Sequence, residues 1–158
     1  MGSEHDEIVK ILFELCQDYN YSQIHAYNVS KECDPLPITL PRRGRSLTEN
    51  YNPDIWAETK RRLIDIYEVW HSETESEAIL DILYSALTKN VNYLHIVCTG
   101  DNITEDRAED LVYLILGKLY KGGYRAIHPS WVYITGIPEE TKGNSKGIKR
   151  HLKKAFGF

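Results

Sequence analysis

The chain has 158 residues, 42% of them hydrophobic, and a formal charge of −4; that suits one domain spanning residues 1–158 with a real core, and it excludes a disordered chain. Cys16, Cys33 and Cys98 are odd in number and lack CxxC spacing, which excludes a disulfide framework or zinc ribbon and points to reduced thiols in a cytoplasmic or other intracellular compartment. No stretch is apolar for long enough to span a membrane and no signal-peptide pattern is present, so no membrane partner is expected.

Residues 1–4 are read as a tag remnant or a disordered start and left out of the fold. From His5 to Asp18, Ile8, Ile11, Leu12 and Leu15 recur at helical spacing, with Glu7, Glu14 and Asp18 off the stripe. Tyr21 to Val29 alternates as a strand does. Lys31 to Gly44 carries Pro35, Pro37 and Pro41, so it is expected to be a loop with at most a short extended piece at Pro37–Leu40. It closes on Arg42-Arg43-Gly44-Arg45, three cations around a glycine, which suit either a phosphate clamp or a solvated loop.

Asn50 to Trp70 reads as two strands around a polar reversal at Thr59-Lys60-Arg61. Folding the hairpin about Arg61 sets Asp54 opposite Glu68. Facing side chains of an antiparallel pair have Cβ atoms about 4.5–5.5 Å apart. Two carboxylates at that separation either share a divalent cation or stand solvated on an exposed sheet face.

Ser72 or Thr74 caps the next helix, whose buried face holds Ala78/Ile79, Ile82/Leu83 and Ala86/Leu87 before Asn90 ends it. Val91 to Cys98 is a buried strand. Thr104-Glu105-Asp106 opens a second amphipathic helix through Leu111, Leu114, Ile115 and Leu119, stopped by Gly122-Gly123. Ser130 to Ile137 is a strand and Ser145 to Phe156 a final helix. The order α-β-(loop)-β-β-α-β-α-β-α implies an α/β fold, a mixed central sheet sandwiched between helices.

From Lys142 to Phe158 there are six cations and no acid, leaving −10 on the remainder of the chain. This basic C-terminal segment, 142–158, presents Lys146, Lys149, Arg150, Lys153 and Lys154 as phosphate-contacting candidates. The helix macrodipole favours cations near a C-terminus without any ligand.

Pro53-Asp54, a short gap, and a strand ending Ile66-Tyr67-Glu68-Val69-Trp70 resemble the PD-(D/E)xK signature of the restriction-endonuclease-like nucleases. The order of elements from His5 to Gly100 is similar too: a helix, a three-stranded meander, a helix and a strand. The resemblance implies an α-β-β-β-α-β core followed by α-β-α. It implies Asp54 and Glu68 as catalytic, metal-binding carboxylates, joined by the backbone carbonyl of Val69, around Mg²⁺ or Mn²⁺. The activity implied is a metal-dependent nuclease cleaving DNA phosphodiester bonds; the alternative is a catalytically inactive module of the same fold that binds nucleic acid or takes part in assembly. DNA is the expected partner, with RNA open. Many such nucleases are homodimers, although no dimer signature stands out here.

Trp70 departs from the pattern, because it stands where the family has lysine, and an indole supplies no charged donor. Three explanations compete: a cation supplied from elsewhere (Arg42, Arg43, Arg45 or Lys89), slow chemistry on metal-activated water alone, or a fold kept for binding. Lys60 completes Glu58-Thr59-Lys60 but lies at the hairpin tip. His25, His71 and Glu14 are further candidates near the site, each with an ordinary structural reading beside the functional one. The Thr99-Gly100 and Thr135-Gly136 turns suggest a nucleotide site, but no GxGxxG or GxxxxGK[ST] accompanies them.

Overall fold

A computed structural model of the protein describes residues 3–29, 33–42, 45–100, 102–123 and 127–158, with 39–42 and 45–47 described by backbone alone. Helix α1 (Glu4–Asp18) leads into strand β1 (Tyr21–Ala26), and Ser3 accepts the Asp6 N–H as its N-cap. Ser3 and Glu4, set aside in the sequence reading, thus begin the first element. Strands β2 (Leu36–Arg42) and β3 (Arg45–Tyr51) follow, then β4 (Ile55–Thr59) and β5 (Ile64–Trp70). Helix α2 (Glu75–Leu87), β6 (Val91–Cys98), α3 (Glu105–Lys121), β7 (Val132–Gly136) and α4 (Ser145–Phe156) complete the chain.

The fold is mixed α/β, with a five-stranded sheet ordered β1-β4-β5-β6-β7. β1/β4 and β4/β5 are antiparallel, whereas β5/β6 and β6/β7 are parallel. The crossovers through α2 and α3 step across the sheet in the same direction. Right-handed connections therefore place both helices on one face. There Ile66, Trp70, Leu94 and Ile96 pack with Ala78, Ile82, Leu111 and Leu116. On the other face Ile55, Tyr67, Val69 and Val97 pack with Ile8, Leu12 and Leu15 of α1 and Ile148 and Leu152 of α4. β5 lies under helices on both sides, and all seven of its residues are buried.

The hairpin register is the one expected. Ile55 faces Tyr67 and Trp56 faces Ile66, so the centre falls at Arg61. Thr74 caps α2 with a full capping box to Glu77. Three expectations are corrected. The extended piece expected at Pro37–Leu40 of the Pro-rich segment is longer than expected: Leu36–Arg42 pairs with Arg45–Tyr51 as a separate two-stranded sheet, in which each strand keeps an outer edge that tolerates proline. Asn50 and Tyr51 belong to that ribbon, and Leu36, Ile38 and Tyr51 close the core over α2. The strand expected over Tyr21–Val29 ends at Ala26, and Asn28 turns the chain with φ 61°. Leu114, expected on the buried face of its helix, is 54% exposed.

Losing the cap and losing core volume should differ in urea unfolding. Thr74→Ala is expected to cost about 1 kcal/mol, and Ile66→Ala, on the doubly covered strand, about 2–5 kcal/mol. Equal losses would mean that β5 is not the packing centre.

Candidate functional site

Asp54 stands just before β4, where Pro53 cannot donate a ladder hydrogen bond. Side chains take over from the backbone at this point. The Asp54 N–H donates to Glu68 Oε1 at 2.7 Å, and the Val69 N–H donates to Asp54 Oδ2 at 2.8 Å. The two residues expected to face each other are therefore joined. Glu68 is 5% exposed and points beneath α2, toward Asp81 and Tyr51. Trp70, on the same face of β5, is 2% exposed, and its indole Nε1–H donates to Asp81 Oδ2 at 3.0 Å.

Burial pushes the Glu68 carboxyl well up, and the neighbouring Asp81 and Asp54 add to the shift. Asp81 is also raised, again chiefly by burial. Two acids this close in a dry setting cannot both ionise, so Glu68 holds the proton and hydrogen-bonds Asp81. On the open side, His5 of α1 reaches Asp54 Oδ1 through Nε2 at 3.2 Å, and its Nδ1 lies 3.1 Å from Asp6 Oδ1. The hydrogen bond to Asp54, working against burial, raises the His5 pKa to about 9. An imidazolium thus occupies the exposed face of Asp54.

His5, Lys10, Tyr27, Asn28 and Asp54 line a cleft of about 320 Å³. A groove of about 370 Å³ between α1 and α4 is lined by Lys10, Glu14, Ser145, Lys146 and Lys149. Lys10 borders both, with Asp6 beside it in the cleft and Glu7 beside it in the groove.

The sequence-predicted residues divide sharply. Asp54, Glu68 and Val69 come together. Lys89 does not join them, because it follows α2 beside Asn90, whose carbonyl accepts the Ile64 N–H at the start of β5. Six residues of strand separate that point from Trp70, roughly 20 Å. Arg43 lies outside the described residues, as do the side chains of Arg42 and Arg45. Glu14 is about 14 Å along α1 from His5, and it pairs with Lys149 at 3.3 Å. His25 is buried, stacks on Trp56 at 4.0 Å and accepts the Asp34 N–H. His71 bonds Thr99 Oγ1 at 2.8 Å, and Gly100 hugs the His71 carbonyl so closely that a Cβ would collide with it. On α4, Lys146, Arg150, Lys153 and Lys154 are exposed.

Two site residues escaped the sequence reading. His5 sits on the stripe of Ile8, Leu12 and Leu15, a polar group at the head of an apolar run. Asp81 lies between Ala78 and Ile82, and the Trp70 N–H and the Glu68 carboxyl beneath it explain an acid there.

Among the described residues no three His, Cys, Asp or Glu side chains form a group that could hold a metal ion. The donor chemistry agrees. Asp54 spends one oxygen on the Val69 N–H and the other on His5, while Glu68 accepts the Asp54 N–H and shares its proton with Asp81. As folded, these residues do not fit a divalent cation. No helix of the described residues is long and apolar enough to cross a membrane. Comparisons with protein-family models, curated proteins and solved structures return no match to this chain.

The raised acids and the raised histidine act in the same direction on stability. A carboxyl raised above its ordinary 3.8–4.5 contributes most at low pH and loses that contribution as pH rises past its folded value. His5 contributes fully below 6.5 and loses its share through about 9. Unfolding free energy should therefore fall between acidic and alkaline pH. Glu68→Gln, which keeps an uncharged hydrogen-bonding group, should flatten the acidic part and leave the protein more stable than the wild type at alkaline pH. His5→Gln should remove the part between 6.5 and 9. Urea titrations from pH 4 to 10 read both, and a wild-type profile that rises with pH would contradict the assignment.

Proposed function

We propose that this chain is a nucleic-acid-binding domain of the restriction-endonuclease-like type in which the hydrolytic centre has become structural. The position of Trp70 carries this proposal. It stands at the motif's lysine position, packs in a dry core and gives its only donor to Asp81. No charged donor is thereby available on β5 to stabilise a pentavalent phosphate. The fold type draws support from the order α1-β1-β4-β5-α2-β6, which follows the α-β-β-β-α-β core with the β2–β3 ribbon inserted after its first strand. Nucleic-acid binding draws support from α4. Lys146, Lys149, Arg150, Lys153 and Lys154 fall on one helical face, opposite the buried Ile148 and Leu152. No acid lies between Lys142 and the last residue.

One observation favours the alternative, a Mg²⁺- or Mn²⁺-dependent nuclease held by Asp54, Glu68 and the Val69 carbonyl: Asp54 and Glu68 meet in the motif's register beside a cleft that also holds Lys10. That alternative requires Glu68 to give up its proton and His5 to leave Asp54, so metal affinity would climb with pH.

DNA retardation and cleavage separate the two. Duplex and single-stranded DNA should be bound without cutting in Mg²⁺, Mn²⁺ or EDTA. Replacing Lys146, Arg150, Lys153 and Lys154 by alanine should abolish retardation at moderate salt and flatten the log–log salt dependence by roughly 3–4. Absence of DNA binding would refute the proposal. Metal-dependent cleavage lost in both Asp54→Asn and Glu68→Gln would establish the nuclease instead.

A further inference from the structure

The face of the sheet that carries α1 and α4 is not covered along its whole length. α4 meets β7 through His151, whose Nε2 lies 2.8 Å from Thr135 Oγ1. It meets β6 through Phe156, whose ring stands edge-on to His95 at 4.9 Å. The helix then ends at Gly157. Exposure along β7 records the boundary. Thr135, under the helix, is 7% exposed, whereas Tyr133, on the same face two residues earlier, is 41% exposed.

The uncovered corner is aromatic. Tyr67, His95 and Tyr133 are register neighbours on β5, β6 and β7. Their rings lie nearly parallel, with successive centroids 4.1 Å and 5.5 Å apart and interplanar angles of 11° and 19°. Tyr93, two residues before His95 on the same face, brings its ring to 5.4 Å from that of Tyr133. Tyr67 and His95 are buried. β7 is the last strand, so the row of rings ends at Tyr133 with no further strand beside it. Cross-strand aromatic pairs stabilise a sheet without any ligand, but a row with an open end also has room for one more flat ring.

The charges around this corner select what that ring belongs to. Burial lowers the His95 pKa to about 4, so the row itself is uncharged at neutral pH. Lys153 and Lys154 lie between His151 and Phe156, the two points at which α4 touches the sheet, and both are exposed. The nearby acids are engaged or face elsewhere. Asp65, the register partner of Tyr93, is 5% exposed and accepts the Tyr21 hydroxyl at 2.6 Å. Glu109 borders the groove between α3 and β7, on the other face of the sheet, with Tyr133 at its rim. Uncharged ring faces flanked by cations complement unpaired bases on a phosphodiester strand. A duplex keeps the faces of its bases covered and can use only the cations.

We propose that this corner is a stacking platform for single-stranded nucleic acid, with bases on Tyr133 and Tyr93 and phosphates on Lys153 and Lys154. The platform rests on the nucleic-acid reading above and narrows it to strands with unpaired bases.

Fluorescence anisotropy of the full chain with labelled oligothymidylate and oligouridylate of about 15 nucleotides, and with a DNA duplex of the same length, tests it. A single strand should bind about tenfold more tightly than the duplex at equal salt, and the tighter of the two single strands identifies the preferred sugar. Tyr133→Leu and Tyr93→Leu should each raise the single-strand Kd about tenfold and leave duplex affinity unchanged. Tyr133→Phe, which keeps the ring, should bind as the wild type does. Lys153→Ala/Lys154→Ala should flatten the single-strand log–log salt dependence by roughly 1–1.5. Photocrosslinks from a 5-iodouracil strand should map to Tyr133 or Tyr93. If single strand and duplex bind equally and neither leucine variant weakens binding, the platform is overturned while the nucleic-acid reading stands. If no nucleic acid binds at all, both fall.

Discussion

Two hydrogen bonds tie the chain before β4 to the end of β5, from the Asp54 N–H to Glu68 and from the Val69 N–H to Asp54. They continue the ladder past the point where Pro53 ends it, with carboxyl oxygens acting as the acceptors. Side chains alternate along a strand, so the register held here decides the contents of both cores. A slip of one residue would send Trp56, Ile66 and Trp70 toward α1 and Tyr67 and Val69 toward α2. The layers on either side of the sheet therefore depend on this junction.

The same junction gathers acids at the margin of the core, with Glu68 buried and Asp54 facing the cleft. Glu68, Asp81 and Asp54 are compensated by a retained proton, by the Trp70 indole N–H and, at the open side, by the His5 imidazolium. Each of these compensations satisfies an oxygen that a metal would otherwise need. The resulting structure is well satisfied internally and poor in the charged donors that phosphoryl transfer uses. Positive charge is displaced instead onto α4, which packs beside α1 with Lys10 at the boundary.

The asymmetry of the sheet has a topological origin. Parallel steps from β5 to β6 to β7 leave α3 as the outermost helix on its face and β7 as the outermost strand. The chain then turns to the other face to form α4, and no later element among those described returns to cover the α3–β7 side. Tyr113, Leu114 and Trp131 remain on the surface there.

Much of this architecture was legible in the residues. The caps at Thr74 and Thr104, the apolar runs of β5 and β6, and the reversal at Arg61 follow from local propensity and alternation, and these do not require knowledge of distant contacts. The ribbon of β2 and β3 was not legible, because prolines that break central strands are tolerated where each strand keeps a free edge. Leu114 was misassigned for a related reason: its helical spacing suits a buried face, but α3 borders the sheet's edge. His5 and Asp81 were missed because each is an isolated polar residue on an apolar stripe, and its meaning comes from a partner far away in sequence. The sequence alone determined that Asp54 and Glu68 would meet, since a strand's two-residue period fixes the facing of residues across a turn. Only the tertiary structure decided that they meet under α2, with Asp81 and Trp70 against them and His5 across the opening. Charge state follows desolvation and neighbours, and these depend on which elements pack over the site.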